Sequence, residues 1–533
     1  MIDVISSKDA IDKIRTRDTV CTSGFVGTGT PEELIRALES RFVKTGAPFD
    51  LSLVFAAAPG DGIAKGVNRL SHPGLLKRIV GGHWSLVPKL GELAIKNQVE
   101  AYNLPLGVIS ELYREIAGQR CGVLTKIGLG TFVDPRQDGG KLNIRTWEDL
   151  VELIEINNEE WLLYKTFPID IAFIRGTTAD PNGNISMEKE ALTLDNLAIA
   201  TAARNSGGIV IAQVEQVTDA PLSPRQVEVP GIFVDYVVIA ESENHTQTWV
   251  TGFDSAFAGQ TRRTIEDAAV MELDERKVIA RRAAMELAKS VGGVVNLGIG
   301  KPEGVSKVAA EEDFINEIHL TAEPGVIGGM PQGGLDFGAA VNHDALLNQN
   351  QQFDFYDGGG LDLAVLGMAQ VDRFGHVNVS KFGPKLAGAG GFINISQTAK
   401  KLVFVGTFSA DGLVVEISDG KLKIVQEGKV SKFIADVEQI TFNAEVALKN
   451  RKPVLYITER CVFELTVEGM RLKEVAAGVD IKTEIVELLP FSVIADDVGT
   501  MDPRIFLNEV MNLGERDELA KYRKLKLAKK LVA

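Results

Sequence analysis

The sequence predicts an α/β fold of two similar halves, each with a largely parallel sheet, and an active site between the halves. Three observations lead to this fold class. Apolar, strand-like runs alternate with helical patterns, which favours parallel sheets. A strand, a glycine-rich turn and the start of a helix follow one another twice, at residues 23–34 and 296–305. A strand led by aspartate also occurs twice, at residues 170–186 and 362–378. Ligands of such folds often bind at strand ends and between domains.

The aspartate-led segments match in register. In each, a second aspartate follows the first by ten residues and a glycine comes three residues later. Aspartate at the first and glycine at the fourth position suit a β-turn. We therefore expect these aspartates to be structural.

The two glycine-rich segments resemble each other more loosely than the two aspartate-led segments do. Each member follows an apolar run and leads into a helix with proline near its first turn. In the first member, Thr30 and Glu33 predict a capping box. The glycine spacing matches neither the dinucleotide-binding fingerprint nor a P-loop, so NAD and ATP are not expected. An anionic or polar ligand group at these helix starts stays open.

The chain divides by composition and repeat into four parts. The predicted boundaries are an N-terminal half at 1–255, a linker at 256–275, a C-terminal half at 276–520 and a basic tail at 521–533. For the tail, a solvated helix end is favoured over contact with a membrane surface.

Length and composition exclude several functional classes. The 533 residues are too many for one core, and 45% hydrophobic with 24% charged residues is typical of a globular protein. A net charge of −15 argues against nucleic acid as a partner. The chain opens without an apolar signal core and lacks an apolar run long enough to cross a bilayer. We expect a cytoplasmic protein without a membrane partner.

Cysteine and histidine are sparse and scattered. Cys21, Cys121 and Cys461 are far apart, and the six histidines form no ligand-like pair. A disulfide framework or a metal site is therefore not expected. The most site-like histidine is His83, in the run Gly-Gly-His-Trp, for which a packed or turn position is the favoured interpretation.

Glu323 and two glycine clusters are the main candidates for chemistry. Residues 317–323 alternate as a strand with one buried face, and a glycine-laden stretch follows at once. Glu323 ends that strand, so it is either a solvated turn residue or a carboxylate that a ligand can approach closely. Three of the four residues from Gly388 to Gly391 are glycine, which lets backbone N–H groups point at a ligand oxygen.

Several long motifs, in order, make the chain resemble a known family. They are residues 23–27, 82–84, 130–136, 229–236, 296–300, 352–360 and 390–394, together with Glu323 and its glycines. The chain resembles family I CoA-transferases of the fused, single-chain type, close to the acetate and propionate CoA-transferases. The resemblance covers nearly the whole chain.

This resemblance implies an acyl-CoA:carboxylate CoA-transferase that works by a ping-pong mechanism. Glu323 occupies the position of the nucleophile that forms a glutamyl-CoA thioester. CoA is implied as substrate and covalent intermediate, with no permanently bound cofactor and no metal. A homo-oligomer, dimer or tetramer, is also implied.

The same resemblance implies roles for other residues. Gly391 matches the backbone N–H donor of the oxyanion hole, and Asn296 matches a position that orients the glutamate. Leu106 stands where the family has a glutamine donor. The remaining expected contacts to substrate or CoA are Gly388, Gly390, Gly298, Gly300 and Asn342.

Leu106 departs from the family pattern because leucine cannot donate a hydrogen bond. Either another donor replaces the amide, or catalysis is slower, or the pocket is reshaped. Our hypothesis is that the acid is bulkier or more apolar than acetate, such as an aromatic propenoic acid of the caffeate type; acetate and propionate stay open.

Two other functions remain possible on sequence grounds. Water could attack a glutamyl-CoA, which would make the enzyme an acyl-CoA hydrolase. A related α/β fold could also serve as a non-catalytic sensor of CoA or a metabolite. The retained Glu323 argues against the sensor.

Overall fold

The computed structural model describes residues 2–263, 271–515, 519–520 and 522. These form two compact units that are discontinuous in sequence. The first unit comprises Met1–Arg263, Ala322–Phe355 and Ser380–Asn394, and the second comprises Thr264–Thr321, Tyr356–Val379 and Ile395–Ala533. The predicted halves are continuous in sequence, whereas the compact units are not. Residues 264–270 of the predicted linker, and the predicted basic tail apart from Tyr522, lie outside the described residues.

An eight-stranded sheet organises the first unit. Its strands are β1 (Asp3–Val4), β2 (Thr19–Thr22), β3 (Leu51–Ala57), β4 (Leu76–His83), β5 (Glu100–Asn103), β6 (Ile171–Arg175), β7 (Ile209–Val214) and β8 (Tyr236–Ile239). The strand order is β1-β8-β7-β6-β2-β3-β4-β5, and every pairing is parallel. β3 and β6 are buried along almost their whole length, as expected of parallel strands covered on both faces.

Five helices follow the early strands of this unit. They are α1 (Ser7–Ile11), α2 (Glu32–Thr45), α3 (Pro88–Ile95), α4 (Leu106–Ala117) and α5 (Asn196–Asn205). Helix α2 begins after Pro31, as the sequence predicts, but the predicted capping box is wrong. The Thr30 hydroxyl donates instead to the backbone carbonyl of Val26, at 3.2 Å. Because the hydroxyl is used in this bond, it does not cap the helix.

Short strands complete the first unit. An antiparallel sheet contains Gly122–Thr125, Glu159–Lys165 and Val151–Ile156 in that order, and a second small sheet contains Ile185–Ser186, Thr178–Ala179 and Gln216–Val217. Antiparallel pairs join Val326–Ile327 to Ala345–Leu346, Met330–Pro331 to Ala340–Val341, and Lys381–Phe382 to Lys385–Leu386.

A second large sheet organises the second unit. Eight of its ten strands are β9 (Val294–Leu297), β10 (His319–Ala322), β11 (Leu363–Gly367), β12 (Leu402–Val405), β13 (Val454–Ile457), β14 (Cys461–Thr466), β15 (Gly469–Val475) and β16 (Gly499–Thr500). They lie in the order β10-β9-β11-β12-β13-β14-β15-β16. The pairings from β10 to β13 are parallel, and those of β14 with its two neighbours are antiparallel.

Six further α-helices lie among the described residues from 271 to 515. They are α6 (Glu275–Ala288), α7 (Glu303–Glu311), α8 (Gln349–Asp357), α9 (Phe392–Thr398), α10 (Ala444–Lys449) and α11 (Ile481–Glu484). Helix α7 begins after Pro302, as predicted. The second unit also contains short two-stranded antiparallel pairs: Gln370–Val371 with Val377–Asn378, Ser409–Ala410 with Val430–Ser431, and Val414–Ser418 with Lys421–Gln426.

The two large sheets share a five-stranded core with one topology. In the first sheet its strands run β8-β7-β6-β2-β3, and in the second they run β13-β12-β11-β9-β10. When the five core strands of each sheet are numbered in chain order, both cores read 5-4-3-1-2. This identity confirms the predicted α/β fold of two similar halves.

The repeated aspartates explain part of this likeness. The Asp170 carboxylate accepts from the backbone N–H of Thr19 at 2.8 Å, and Asp362 accepts from that of Val294 at 3.0 Å. Each aspartate therefore ties the start of the third core strand to the first. The predicted structural role of these two aspartates is confirmed.

The second aspartate of each repeat makes the predicted turn. Asp180 accepts from the backbone N–H groups of residues 182 and 184, and Asp372 from those of residues 374 and 376. The turns end at Gly183 and Gly375, whose φ angles are 83° and 84°. Left-handed backbone at the fourth turn position explains the glycine.

Among the described residues, no helix is both long and apolar enough to cross a bilayer. In that same part of the chain, no three histidine, cysteine, aspartate or glutamate side chains are grouped so as to hold a metal ion. The three cysteines are free; Cys21 and Cys461 are buried and Cys121 is exposed.

Candidate active site

Glu323 directly follows strand β10, one residue beyond its end. The chain then turns through Pro324 and Gly325, whose N–H donates to the carbonyl of Ala322 at 3.1 Å. Gly325 has a φ of 117°, so this reversal needs glycine. The side chain of Glu323 is half-buried. The predicted strand is confirmed, two residues shorter at its start, and Glu323 stands at the turn.

The carboxylate of Glu323 lies against Gly391. The backbone N–H of Gly391 donates a hydrogen bond to it. A Cβ on Gly391 would lie 2.7 Å from Oε2 of Glu323 and 3.1 Å from the ring of Phe353. Because the 2.7 Å contact is shorter than real Cβ atoms make, a larger residue at 391 would displace the carboxylate from its present position.

The surroundings of Glu323 favour its neutral form. Burial among protein atoms raises the pKa of its carboxyl from the ordinary 4.5 to about 7, although the Gly391 N–H opposes the rise. At neutral pH, a sizeable fraction of the side chain is a carboxylate that few water molecules solvate. A poorly solvated carboxylate is a better nucleophile than one in water.

The loop from Ala387 to Gly391 is fastened to the end of strand β4. The N–H of Gly390 donates to the carbonyl of Gly82 at 2.9 Å, and the N–H of Trp84 donates to the carbonyl of Ala387 at 2.7 Å. Gly388 has a φ of 72°, and a Cβ there would lie 2.7 Å from the Trp84 ring. The loop is therefore held rigidly enough to keep the Gly391 N–H aimed at Glu323.

Asn103, at the end of strand β5, braces the same loop. Its side-chain oxygen accepts from the N–H of Ala389 at 2.9 Å. Its amide nitrogen donates to the carbonyls of Gly81 and Gly82, at 2.9 and 2.6 Å. One buried amide thus joins the glycine loop to the end of β4, a contact between residues 286 positions apart.

Leu106 begins helix α4 beside this loop. Its N–H donates to the carbonyl of Gly390 at 2.9 Å, and its side chain is buried. A Cβ on Gly82 would lie 3.2 Å from the Leu106 Cβ. The next N–H, of Gly107, reaches the side-chain oxygen of Asn394 at 3.3 Å. The sequence-predicted position beside the glycine cluster is thus occupied by an apolar side chain.

His83 is the last residue of strand β4, and its side chain lies against the same loop. A Cβ on Gly390 would be 3.6 Å from Cδ2 of its ring. Its Nε2 lies 2.6 Å from the hydroxyl of Ser85. Burial lowers the pKa of the imidazole to about 4, so it is neutral at physiological pH. The side chain is half-buried rather than enclosed in the core.

A family model and relatives of similar sequence identify the family of this chain. Residues 4–240 match the family described as "Coenzyme A transferase". The chain is 46% identical over 514 residues to a caffeate CoA-transferase of Acetobacterium woodii, covering 95% of this chain and 98% of the relative. The acetate CoA-transferase YdiF of Escherichia coli (strain K12) is 43% identical over 516 residues, covering 96% of both.

The chain belongs to the coenzyme A transferase family. It is therefore a CoA-transferase. The crystal structure of the YdiF apoenzyme from Escherichia coli O157:H7 matches with a TM-score of 0.91 and 41% identity, covering 96% of this chain and 97% of that one. A structure of the same YdiF described as a thioester complex with CoA matches with a TM-score of 0.90 and the same coverage.

In this CoA-transferase, Asn296 lies on strand β9 of the second unit. It is buried, and its amide nitrogen donates to the carbonyl of Thr321 at 3.3 Å and to the Tyr356 hydroxyl at 3.4 Å. Its side-chain oxygen is buried without a hydrogen-bond partner among the described residues. Its predicted role in orienting the glutamate stays a prediction.

Gly298 and Gly300 also belong to the second unit, in the turn between β9 and α7. A Cβ on Gly300 would meet no atom within 4 Å, and its φ is 81°. Asn342 belongs to the first unit, where its amide pairs with the backbone of Arg263 through bonds of 2.9 and 2.8 Å. The oxygen and the nitrogen of the Asn342 amide are therefore both bonded to the backbone of Arg263. The predicted CoA contacts of all three residues stay predictions.

Glu323, Leu106 and the glycine loop with Gly388, Gly390 and Gly391 meet in the first unit of this CoA-transferase. The sequence interpretation missed Asn103, which carried no signal because its partners are distant in sequence. The Gly-Gly-His-Trp run did carry a signal, since its glycines allow the close approach seen at Gly82.

Proposed function

We propose that this CoA-transferase moves CoA from an acyl-CoA to a free carboxylic acid through a covalent thioester on Glu323. The observation that carries the proposal is the pairing of the Glu323 carboxylate with the Gly391 N–H. The pairing brings together a nucleophile and a donor for the charge that develops on it. The thioester described for YdiF, at 41% identity, supports the same covalent course here.

The proposed course conserves the energy of the thioester. The Glu323 carboxylate attacks the thioester carbonyl of the acyl-CoA, and the C–S bond breaks to give a mixed anhydride and CoA thiolate. The thiolate then attacks the glutamyl carbonyl and expels the free acid as a carboxylate. An incoming carboxylate reverses both steps and leaves as the new acyl-CoA. Covalent catalysis divides a difficult exchange into easier steps, and neither a metal nor a redox cofactor takes part.

The Gly391 N–H acts where charge develops. When thiolate attacks the glutamyl carbonyl, the glutamyl oxygen becomes an oxyanion, and this N–H already points at that oxygen. A donor fixed in advance is worth about 2.7–4 kcal/mol of transition-state stabilisation. The hydrogen bonds from the loop to Asn103 and Gly82 hold this donor in place.

The acid substrate is proposed to be bulkier or more apolar than acetate, of the aromatic propenoic type. The buried, apolar Leu106 beside the glycine loop supports a less polar lining. The 46% identity to a caffeate CoA-transferase points the same way, although the 43% identity to an acetate enzyme keeps short acids as the competing substrates.

A domain arrangement and an oligomeric state are also part of the proposal. We propose two fused CoA-transferase halves, at 1–255 and 276–520, that assemble as a cytoplasmic homo-oligomer. Light scattering on purified protein at several concentrations tests the oligomer; a monomer at all of them would contradict it.

The covalent mechanism is tested by incubation with an acyl-CoA in the absence of acceptor acid. Mass spectrometry of digested protein should find CoA attached to the peptide that contains Glu323, and added acid should remove it with formation of new acyl-CoA. Glu323→Gln should form no adduct. Release of CoA at the full rate without acid would indicate a hydrolase, and neither adduct nor turnover with any acid would indicate a sensor.

A further inference from the structure

The side chains nearest to the glycine loop include one with a hydrogen-bond donor to spare. The nearest side-chain atoms to a Cβ built on Gly388, Gly390 or Gly391 come from Trp84, His83, Glu323 and Phe353. The Trp84 indole N–H is already bonded to the carbonyl of Gly81, at 3.0 Å. Phenylalanine has no donor and Glu323 is the nucleophile of the proposed mechanism. His83 remains.

His83 and Glu323 contact successive residues of this loop. The ring of His83 is 3.6 Å from the Cβ position of Gly390, and Oε2 of Glu323 is 2.7 Å from that of Gly391. Consecutive Cα atoms are about 3.8 Å apart. The imidazole and the carboxylate therefore border the same short stretch of backbone, and His83 is half-buried.

The pair of His83 and Ser85 keeps one donor available in either tautomer. If the Ser85 hydroxyl donates to Nε2, which lies 2.6 Å away, Nδ1 carries the proton and can donate. If Nε2–H donates to the hydroxyl, the hydroxyl hydrogen is free to donate instead. A neutral imidazole is suited to this work because it donates to an oxyanion without adding a fixed charge to the site.

An oxyanion beside Glu323 needs more than the Gly391 N–H. Tetrahedral intermediates of acyl transfer are held by two or more fixed donors. Leu106, whose backbone N–H is bonded to the loop, has an apolar and buried side chain. The site as built from Glu323, Gly391 and Leu106 is therefore one donor short.

We infer that His83, together with Ser85, donates the second hydrogen bond to the oxyanions formed during acyl transfer at Glu323. The inference rests on the proposed function, because it assigns a donor to that reaction. No proton leaves the imidazole permanently: the hydrogen bond strengthens as the carbonyl oxygen gains charge and relaxes when the tetrahedral intermediate collapses. His83 therefore lowers the barrier of each addition step without itself being modified.

The inference is tested with His83→Ala, Leu106→Gln and the double variant. His83→Ala should lower kcat about 10- to 100-fold while the KM for acyl-CoA changes little, because the lost bond forms in the transition state. In the double variant, the glutamine amide at residue 106 should restore much of the loss. Rescue is the decisive readout, since a merely structural role of the histidine would not be repaired from another helix. His72→Ala, which removes a partly exposed histidine that pairs with Glu39, should leave kcat unchanged.

The outcomes separate this inference from the proposed mechanism. A wild-type enzyme that forms no Glu323 adduct overturns the mechanism, and with it the inference. A wild type that forms the adduct, together with a His83→Ala variant of undiminished kcat, overturns only the inference. If the alanine variant fails to fold, His83→Gln and His83→Met carry the test. Activity that survives with glutamine and is lost with methionine supports a donor, whereas equal activities overturn it.

Discussion

The Gly391 backbone lies so close to Glu323 that a single methyl group on Gly391 would be 2.7 Å from the carboxylate oxygen Oε2. This contact couples a loop of the first unit to the nucleophile of the proposed mechanism. It also makes residue 391 a position where the smallest substitution should affect chemistry more than folding.

Gly391→Ala should lower kcat about 100-fold, because the new methyl group pushes the carboxylate off the N–H that stabilises it. The matched control is Gly367→Ala at the end of β11, where an added Cβ meets no atom within 4 Å. Neither glycine needs a left-handed backbone, so the comparison isolates the contact. Rates of acyl exchange and melting temperatures of both variants check the prediction; equal losses of activity would contradict it.

The rate of adduct formation should depend on the ionisation of Glu323. Only the carboxylate attacks, and its pKa is about 7, so the rate should fall about tenfold per pH unit below pH 7 and level off above it. Measuring the half-reaction with acyl-CoA alone avoids titration of the acceptor acid. A rate that stays level down to pH 5 would show that the carboxyl keeps its ordinary pKa.

The raised pKa also predicts a cost to stability. Between pH 4.5 and about 7, the folded protein keeps a proton on Glu323 that the unfolded chain has lost, so stability falls as pH rises through this window. Glu323→Gln should therefore raise the melting temperature above pH 7, with the gain shrinking to nothing near pH 4.5. Glu155→Gln, on an exposed position of an edge strand, is the control and should show no such dependence.

The sequence predicts best those parts of the fold that rest on local chemistry. Asp180 and Gly183 are three residues apart, and the Gly183 N–H donates to the Asp180 carbonyl within the turn they make. The strand before Glu323 was likewise predictable from alternation. The capping box at Thr30 was wrong because the hydroxyl found a carbonyl four residues earlier, a choice that the residue types leave open.

The site could be predicted only where the resemblance supplied it. Glu323 and Gly391 are 68 positions apart, and no periodicity joins them. Asn103 is a stronger example, since its amide reaches Ala389 across most of the chain. Such contacts arise from sheet topology, which fixes where strand ends meet and which loops they carry.

The duplicated aspartates should contribute to stability in both halves. Asp170→Ala leaves the N–H of Thr19 without its partner, and Asp362→Ala does the same to Val294. Each loss should lower the free energy of unfolding by about 1–3 kcal/mol. Asp219→Ala, at an exposed loop position, is the control. Denaturant titrations check the prediction, and a change as small as that of the control would contradict it.

Leu106→Gln tests how the acyl pocket sets acid preference. The variant places an amide where the buried leucine now lines the loop, so it should favour small polar acids. We expect kcat/KM for acetate to rise relative to that for caffeate by about 10-fold, because an apolar acid loses its contact with the leucine side chain. Leu106→Met keeps an apolar side chain of similar size and should preserve the wild-type ratio. Initial rates with both acids against one acyl-CoA donor give the ratio for each variant. A ratio that glutamine leaves unchanged would show that residue 106 has no part in selecting the acid.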